Sequence, residues 1–202
     1  MIGSIFFSHF SPKKKIYKIP FEMARTRNLI VIYAAIFLLC ATNSVQAIPY
    51  GFIEKYICPD SPDIGFCLEA FGKDPKVLEA DSLLLTEVRA LEIGIDKILD
   101  TLSYIYLIRG DIADGIGQGR INACTENYKT AEKQYRTAVE QAKQEKLNEM
   151  LNSVQEAKNS MFECENIYKS NPIKPSPIED YTEKALTMTE IVSIIYKIIM
   201  DG

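Results

Sequence analysis

INACTENYKTAEKQYRTAVEQAKQEKLNEMLNSVQEAKNSMFECENIY, residues 121–168, decides the fold. Apolar positions recur by threes and fours through its first half: Ile121, Cys124, Tyr128, Ala131, Tyr135, Ala138 and Ala142. A second set does the same in the other half: Leu147, Met150, Val154, Ala157, Met161, Cys164 and Tyr168. Each set is one apolar stripe along a helix. No Gly or Pro separates them, so periodicity alone permits a single long rod. The cysteines argue for a reversal. Both lie on apolar stripes, and their midpoint, residue 144, falls in the most polar stretch, Lys143-Gln144-Glu145-Lys146. A fold at that point brings the two cysteines level on antiparallel helices, within the roughly 4.4–6.8 Å between Cα atoms that a bridge requires. The spacing therefore predicts a helical hairpin turning near Gln144 and closed by Cys124–Cys164.

Upstream, Leu84, Val88, Leu91, Ile95, Ile98, Leu102 and Ile105 form another stripe, spaced 4, 3, 4, 3, 4, 3. A helix over 80–108 follows, capped by Asp81 or Ser82, with Glu87, Arg89, Glu92 and Lys97 facing away. The glycine-dense run from Gly110 to Gly119 ends it. Downstream, Ser170-Asn171-Pro172-Ile173-Lys174-Pro175-Ser176-Pro177 is a loop, because three prolines cannot continue a helix. A fourth helix then runs from about Ile178 to Ile199, its stripe made of Tyr181, Ala185, Met188, Val192, Ile195 and Ile199. Its apolar last turns are too short to span a bilayer and read as buried in the bundle. Four helices of similar length joined by short links pack most economically up-down-up-down and antiparallel. The fold class is thus all-α, a four-helix bundle. Ahead of it, residues 48–77 hold Cys58 and Cys67 nine apart with Pro59 and Pro62 between them. This piece is too short to own a core, and reads as two short helical segments tied by Cys58–Cys67.

The first residues read differently. Leu29-Ile30-Val31-Ile32-Tyr33-Ala34-Ala35-Ile36-Phe37-Leu38-Leu39-Cys40 follows Arg25 and Arg27 and precedes small residues as far as Ala47. A basic start, a short apolar run and a small-residue cleavage site make a secretory signal peptide over 1–47, starting at Met1 or Met23. An uncleaved anchor is the alternative. Cleavage at Ala47 leaves one domain over 48–202, with the hairpin at 48–77 and the bundle at 78–202, secreted to the extracellular space and free of the membrane.

Composition then excludes much. Of 23 basic and 27 acidic side chains in the whole chain, six basic residues and Glu22 lie in the leader, so 48–202 carries 17 against 26, net −9. Such a surface repels nucleic acid. His9 is the one histidine and also lies in the leader. Without imidazole there is no Ser-His-Asp triad, no Cys-His pair and no His-ligated zinc. Thr125 and Ser153 have no base beside them and are not nucleophiles. No metal site, cofactor or catalytic residue is expected. Cys58, Cys67, Cys124 and Cys164 remain, an even number in an exported chain, hence two disulfides. In the chain-entropy model their loops contribute about 2.7 and about 4 kcal/mol. Tyr128, Tyr135 and Tyr168 read as core with hydroxyls at the rim, and Met150 and Met161 as core fillers.

Several segments together resemble the plant invertase/pectin methylesterase inhibitor family: Cys58-Pro-Asp-Ser-Pro-Asp-Ile-Gly-Phe-Cys67, Lys73-Asp74-Pro75-Lys76 with Ala80-Asp81, Ala123-Cys124-Thr-Glu-Asn-Tyr128 with Ala131, Ala157 with Phe162-Glu163-Cys164-Glu165, and Pro175-Ser176-Pro177. The resemblance covers nearly all of residues 56–199. It implies a four-helix bundle with an N-terminal helical hairpin, and bridges pairing first with second and third with fourth. It also implies a secreted cell-wall protein that is not an enzyme but inhibits one, pectin methylesterase or acid invertase, by covering the substrate cleft. Methylesterase inhibitors in the family lay helix faces over the cleft, whereas invertase inhibitors insert a Pro-Lys-Phe motif between the second and third long helices. Here that place reads Glu145-Lys146-Leu147, with the lysine alone retained. Candidate target contacts are Glu126, Asn127, Lys129, Thr130 and Lys133 on one helix, Lys146 at the turn, and Glu156, Asn159 and Ser160 on the next. The competing reading of each is plain solvated surface. An extracellular interaction protein of this fold that inhibits nothing is the alternative function. A ligand carrier would need a cavity where the stripes are filled with Leu and Ile.

Overall fold

The computed structural model describes residues 50–202. The leader read at 1–47 lies outside them, as does the start of the hairpin. The described chain is all-helical, in the order α1 (Tyr50–Phe52), a π turn (Ile53–Ile57), a 3-10 turn (Cys58–Asp60), α2 (Ile64–Gly72), α3 (Pro75–Leu78), α4 (Leu83–Ile108), a second 3-10 turn (Arg109–Asp111), α5 (Gly115–Lys143), α6 (Leu147–Tyr168) and α7 (Glu179–Asp201). The long helices α4 to α7 form the bundle, and each packs against its two sequence neighbours around the ring, with α7 closing onto α4.

Capping explains where the elements start. Ser82 Oγ accepts from the Leu85 amide at 3.2 Å, fixing the first turn of α4. Asp63, Asp74 and Asp114 cap α2, α3 and α5 in the same way. Each supplies an acceptor for one orphan amide, worth about 1 kcal/mol. The Asp114 cap corrects the expectation for the glycine run. Only residues 109–114 break the chain; Gly115, Gly117 and Gly119 are already helical in α5. A good cap and burial of Gly117 outweigh the low helix propensity of glycine there.

At the other end of α5 the chain reverses where the cysteines required. Gln144 caps the helix, Glu145 takes a left-handed conformation (φ 60°), and the Lys146 amide donates back to Gln141 O at 2.9 Å. Cys124 and Cys164 are joined with Cα atoms 4.7 Å apart, and Cys58 and Cys67 with Cα atoms 5.5 Å apart.

The core runs the length of the bundle and continues under the hairpin through Ile53, Ile57, Phe71 and Val77, all fully buried. Met150 and Met161 fill it as expected. Four polar features depart from the sequence reading, the first being Tyr168, whose hydroxyl is buried short of the rim and has no partner among the described residues. Tyr128 and Tyr135 do not reach the rim; their hydroxyls bond across the core to Thr182 (2.8 Å) and Thr189 (2.7 Å), crossing diagonally from α5 to α7. A tyrosine long enough to cross a bundle is satisfied by a threonine on the far helix, so it needs no water. Burial holds the Tyr128 and Tyr135 hydroxyls far above their ordinary acidity range. Arg89 does not face solvent but folds back on Asp74, its Nε 2.8 Å from Oδ2, and tethers the hairpin to α4. Glu87, also expected outside, is fully buried.

The links are pinned as well. The buried Arg120 guanidinium donates to Ser170 O and Pro172 O, at 3.0 and 2.8 Å, clamping the proline loop to α5. Tyr104 stacks on Tyr181 with ring centroids 4.4 Å apart, joining α4 to α7.

Candidate functional site

The nine sequence-chosen contact residues lie on α5, the reversal and α6. The bridge between Cys124 and Cys164 holds these two helices level on the inside. On their shared flank Ser153 Oγ donates to Gln141 Oε1 at 2.9 Å. Helical spacing places Asn127 four turns before Gln141 and Ser160 two turns after Ser153, so both line the same α5–α6 seam. Both are half-buried, as that position requires.

The other α5 candidates point further out. Lys129 and Glu126 are exposed and pair at 2.8 Å within the helix. The bond and charge of Glu126 hold the Lys129 ammonium above its usual range. Thr130 Oγ1 donates to Glu126 O at 3.0 Å, leaving its methyl and oxygen on the surface. Lys133 is exposed, and among the described residues its ammonium has no carboxylate partner within ion-pair distance. The outer face continues with Glu132–Arg136 and Glu140–Lys143 pairs, each within one turn of α5. On α6, Glu156 and Asn159 are exposed; Asn159 Oδ1 accepts from Gln155 Nε2 at 3.2 Å. Lys146 is exposed at the reversal, about 25 Å along the bundle from Lys129 at ~1.5 Å per residue. The nine residues therefore do not converge on a point. They spread along one long face, closed at one end by the disulfide and at the other by the turn.

Such an arrangement has no chemistry of its own to offer, only shape and charge. Thr125 Oγ1 is spent on Ile121 O at 2.8 Å, and Ser153 on Gln141. Among the described residues no three His, Cys, Asp or Glu side chains are placed to hold a metal ion. What the fold adds is stiffness. Behind the face stand the bridge, the two tyrosine–threonine bonds, and a Lys158–Glu190 ion pair that ties α6 to α7. Glu165 extends this backing, accepting from Thr182 Oγ1 at 2.7 Å and Ser176 Oγ at 3.0 Å. Sequence reasoning missed these long-range partners. A threonine on an apolar stripe opposite a tyrosine, as Thr182 and Thr189 are, was the signal available.

On the opposite side of the bundle an open groove of about 840 Å³ separates α2 from α7, lined by Ile64, Phe66 and Leu186 with Asp63, Asp180 and Glu183. None of the sequence-chosen residues lies in it.

Over 170 residues the chain is 26% identical to Pectinesterase inhibitor 5 of Arabidopsis thaliana, covering 82% of this chain and 93% of that protein. Its fold is similar to that of mutant form A of a pectin methylesterase inhibitor from Arabidopsis, with a TM-score of 0.61 at 17% identity, over 71% of this chain and 95% of the other. A crystal structure of a pectin methylesterase inhibitor from Arabidopsis thaliana gives 0.52 at 17% identity, over 70% and 91%. No protein-family model matches the chain. Among the described residues no helix is long and apolar enough to cross a membrane. In its cysteine and proline pattern, in sequence over most of its length, and in its helical fold, the chain resembles the plant invertase/pectin methylesterase inhibitor family.

Proposed function

We propose that the chain is a secreted cell-wall inhibitor of pectin methylesterase that lays its α5–α6 face over the enzyme's substrate cleft. The observation that carries this reading is the match, over 82% of this chain and 93% of the relative, to a protein named as a pectinesterase inhibitor. The site supports it physically. An inhibitor of this kind needs a rigid surface able to bury roughly 1,200–2,000 Å² in the complex, and no reacting group. Stiffness ahead of binding reduces the ordering entropy lost on association. The disulfide-locked α5–α6 pair provides such a face. The turn Glu145-Lys146-Leu147 lacks the proline and phenylalanine through which invertase inhibitors of the family make contact, which favours the methylesterase over acid invertase.

The test is a titration of purified protein, residues 48–202, against pectin methylesterase and acid invertase from acidic to neutral pH. Stoichiometric loss of methylesterase activity is expected, with invertase untouched. Lys133→Glu together with Glu156→Lys is expected to weaken inhibition at least tenfold, while Lys146→Ala changes it less than twofold. Loss of invertase activity that depends on Lys146 overturns the assignment of target. Inhibition of neither enzyme leaves the fold to a non-inhibitory role and overturns the proposal.

A further inference from the structure

Glu87 is the feature that the fold and the proposed function leave unexplained. It lies in the second turn of α4, it is 0% exposed, and neither Oε1 nor Oε2 has a hydrogen-bond partner among the described residues. A carboxylate in such a place lacks both solvation and a counter-charge, an arrangement stable only for the neutral acid.

Its position is defined by the packing of α4 on α5. Gly94 of α4 abuts the ring of Tyr135. Because the helices are antiparallel, Glu87, two turns earlier, stands level with the last turn of α5, the end that holds Ala138 and Ala142. Both of these are fully buried. The α5–α6 reversal begins two residues later. The charged and titratable groups nearby give no relief. From α5 comes the Tyr135 hydroxyl, already bonded to Thr189. Tyr135 feels Glu87 and also Glu190 of α7, and both are acids. Glu190 is occupied by Lys158 of α6. On α4 itself Arg89 is turned to Asp74 and Glu92. Among the described residues no cation offsets the burial of the carboxyl.

We propose that Glu87 is a buried proton switch: protonated, it lets the end of the bundle that carries the α5–α6 turn close, and its ionisation loosens that end. Burial holds the folded-state carboxyl well above its ordinary value of 4.5. Such a group contributes stability that is whole below the unfolded value and is lost as pH rises through the raised folded value. The fold thus tightens in acid and relaxes toward neutrality, with the proton going to solvent.

The experiment is thermal unfolding of the purified protein at intervals from pH 4.5 to 8, for wild type, Glu87→Gln and Glu87→Leu. The wild-type Tm is expected to fall over this range by at least about 4 °C more than that of either variant, a shift well resolved for a domain of this size. Hydrogen exchange at amides 138–147 is expected to speed up over the same range in wild type alone. Parallel melting curves overturn the proposal. Should both variants fail to fold, the carboxyl carbon shift of Glu87 in the wild-type protein decides: a protonated signal persisting above pH 5.5 supports the switch, and an ionised one at pH 5 overturns it. No target enzyme enters these measurements, so their failure is distinct from a failure of the inhibitory reading.

Discussion

Gly94→Ala is expected to destabilise the bundle although it replaces the poorer helix former with the best one. Gly94 sits in the middle of α4, where glycine costs about 1 kcal/mol relative to alanine. A β-carbon built there meets Tyr135 Cε1 at 2.3 Å, with Cδ1 and Cζ at 3.1 Å. Carbon atoms prefer about 3.5–4.0 Å, so the ring must move by more than ~1 Å. It has nowhere to go, being fully buried with its hydroxyl held 2.7 Å from Thr189 across the core. Overpacking of this kind costs typically 1–3 kcal/mol, and loss of the tyrosine–threonine bond adds about 1. Taking the upper end and subtracting the gain in helix propensity leaves a net loss of about 3 kcal/mol. That corresponds to a fall in Tm of roughly 6–12 °C for a domain of this size. The control is Gly119→Ala in α5, where an added methyl meets nothing within 4 Å. It is expected to stabilise by about 0.5–1 kcal/mol. Urea unfolding of both proteins measures the two changes. Should Gly94→Ala stabilise as much as Gly119→Ala, the close approach of α4 and α5 through Tyr135 is wrong.

Two further outcomes are expected. Replacing Cys124 and Cys164 by serine removes a crosslink over 40 residues and is expected to cost about 4 kcal/mol, read from urea midpoints, while far-ultraviolet dichroism keeps its helical signal. Asp74→Asn is expected to cost about 2 kcal/mol at pH 6, since a charge-assisted bond to Arg89 is lost. Burial works to raise the Asp74 carboxyl, but the bonds to Arg89, its charge and the Lys76 and Val77 amides outweigh it and hold the group below its ordinary 3.8. The contribution is therefore present above pH 3.8 and lost as pH falls through the depressed value, so the wild-type and Asp74→Asn melting curves should converge in strong acid.

The long helices were legible because each buries one stripe, and a stripe is written in the sequence as spacing. The reversal at Gln144 was legible because two cysteines on facing stripes must be level. What spacing cannot give is the angular width of the buried sector. Glu87 lies beside Val88 and Leu91, and Arg89 one residue on, in positions that a narrow stripe leaves outside. The hairpin docked over the α4–α7 side widens the sector that α4 buries, drawing Arg89 to Asp74. The glycine run was misread for a related reason. Propensity counts each glycine as a break, whereas Asp114 supplies a cap and Gly117 lets the chain pass close to Ile112, whose Cγ2 would lie 2.6 Å from an added β-carbon. Contact residues on the α5–α6 face could be named only as exposed polar positions, because nothing in one sequence distinguishes a solvated lysine from one awaiting a partner.

The charge pattern of that face bears on how it would recognise anything. Along α5 the pairs Glu126–Lys129, Glu132–Arg136 and Glu140–Lys143 are all made within one helix between mostly exposed side chains. Such pairs contribute typically below ~1 kcal/mol each, so a partner can rearrange them at little cost. They also leave the face close to neutral as a whole, which limits long-range steering toward a charged enzyme. Selectivity must then come from what the face cannot change: the level of α5 against α6, set by Cys124–Cys164, and the rise of the turn at Glu145. This is why single charge reversals should weaken binding less than removal of the bridge, whose loss frees the two helices to slide and takes the shape of the face with it.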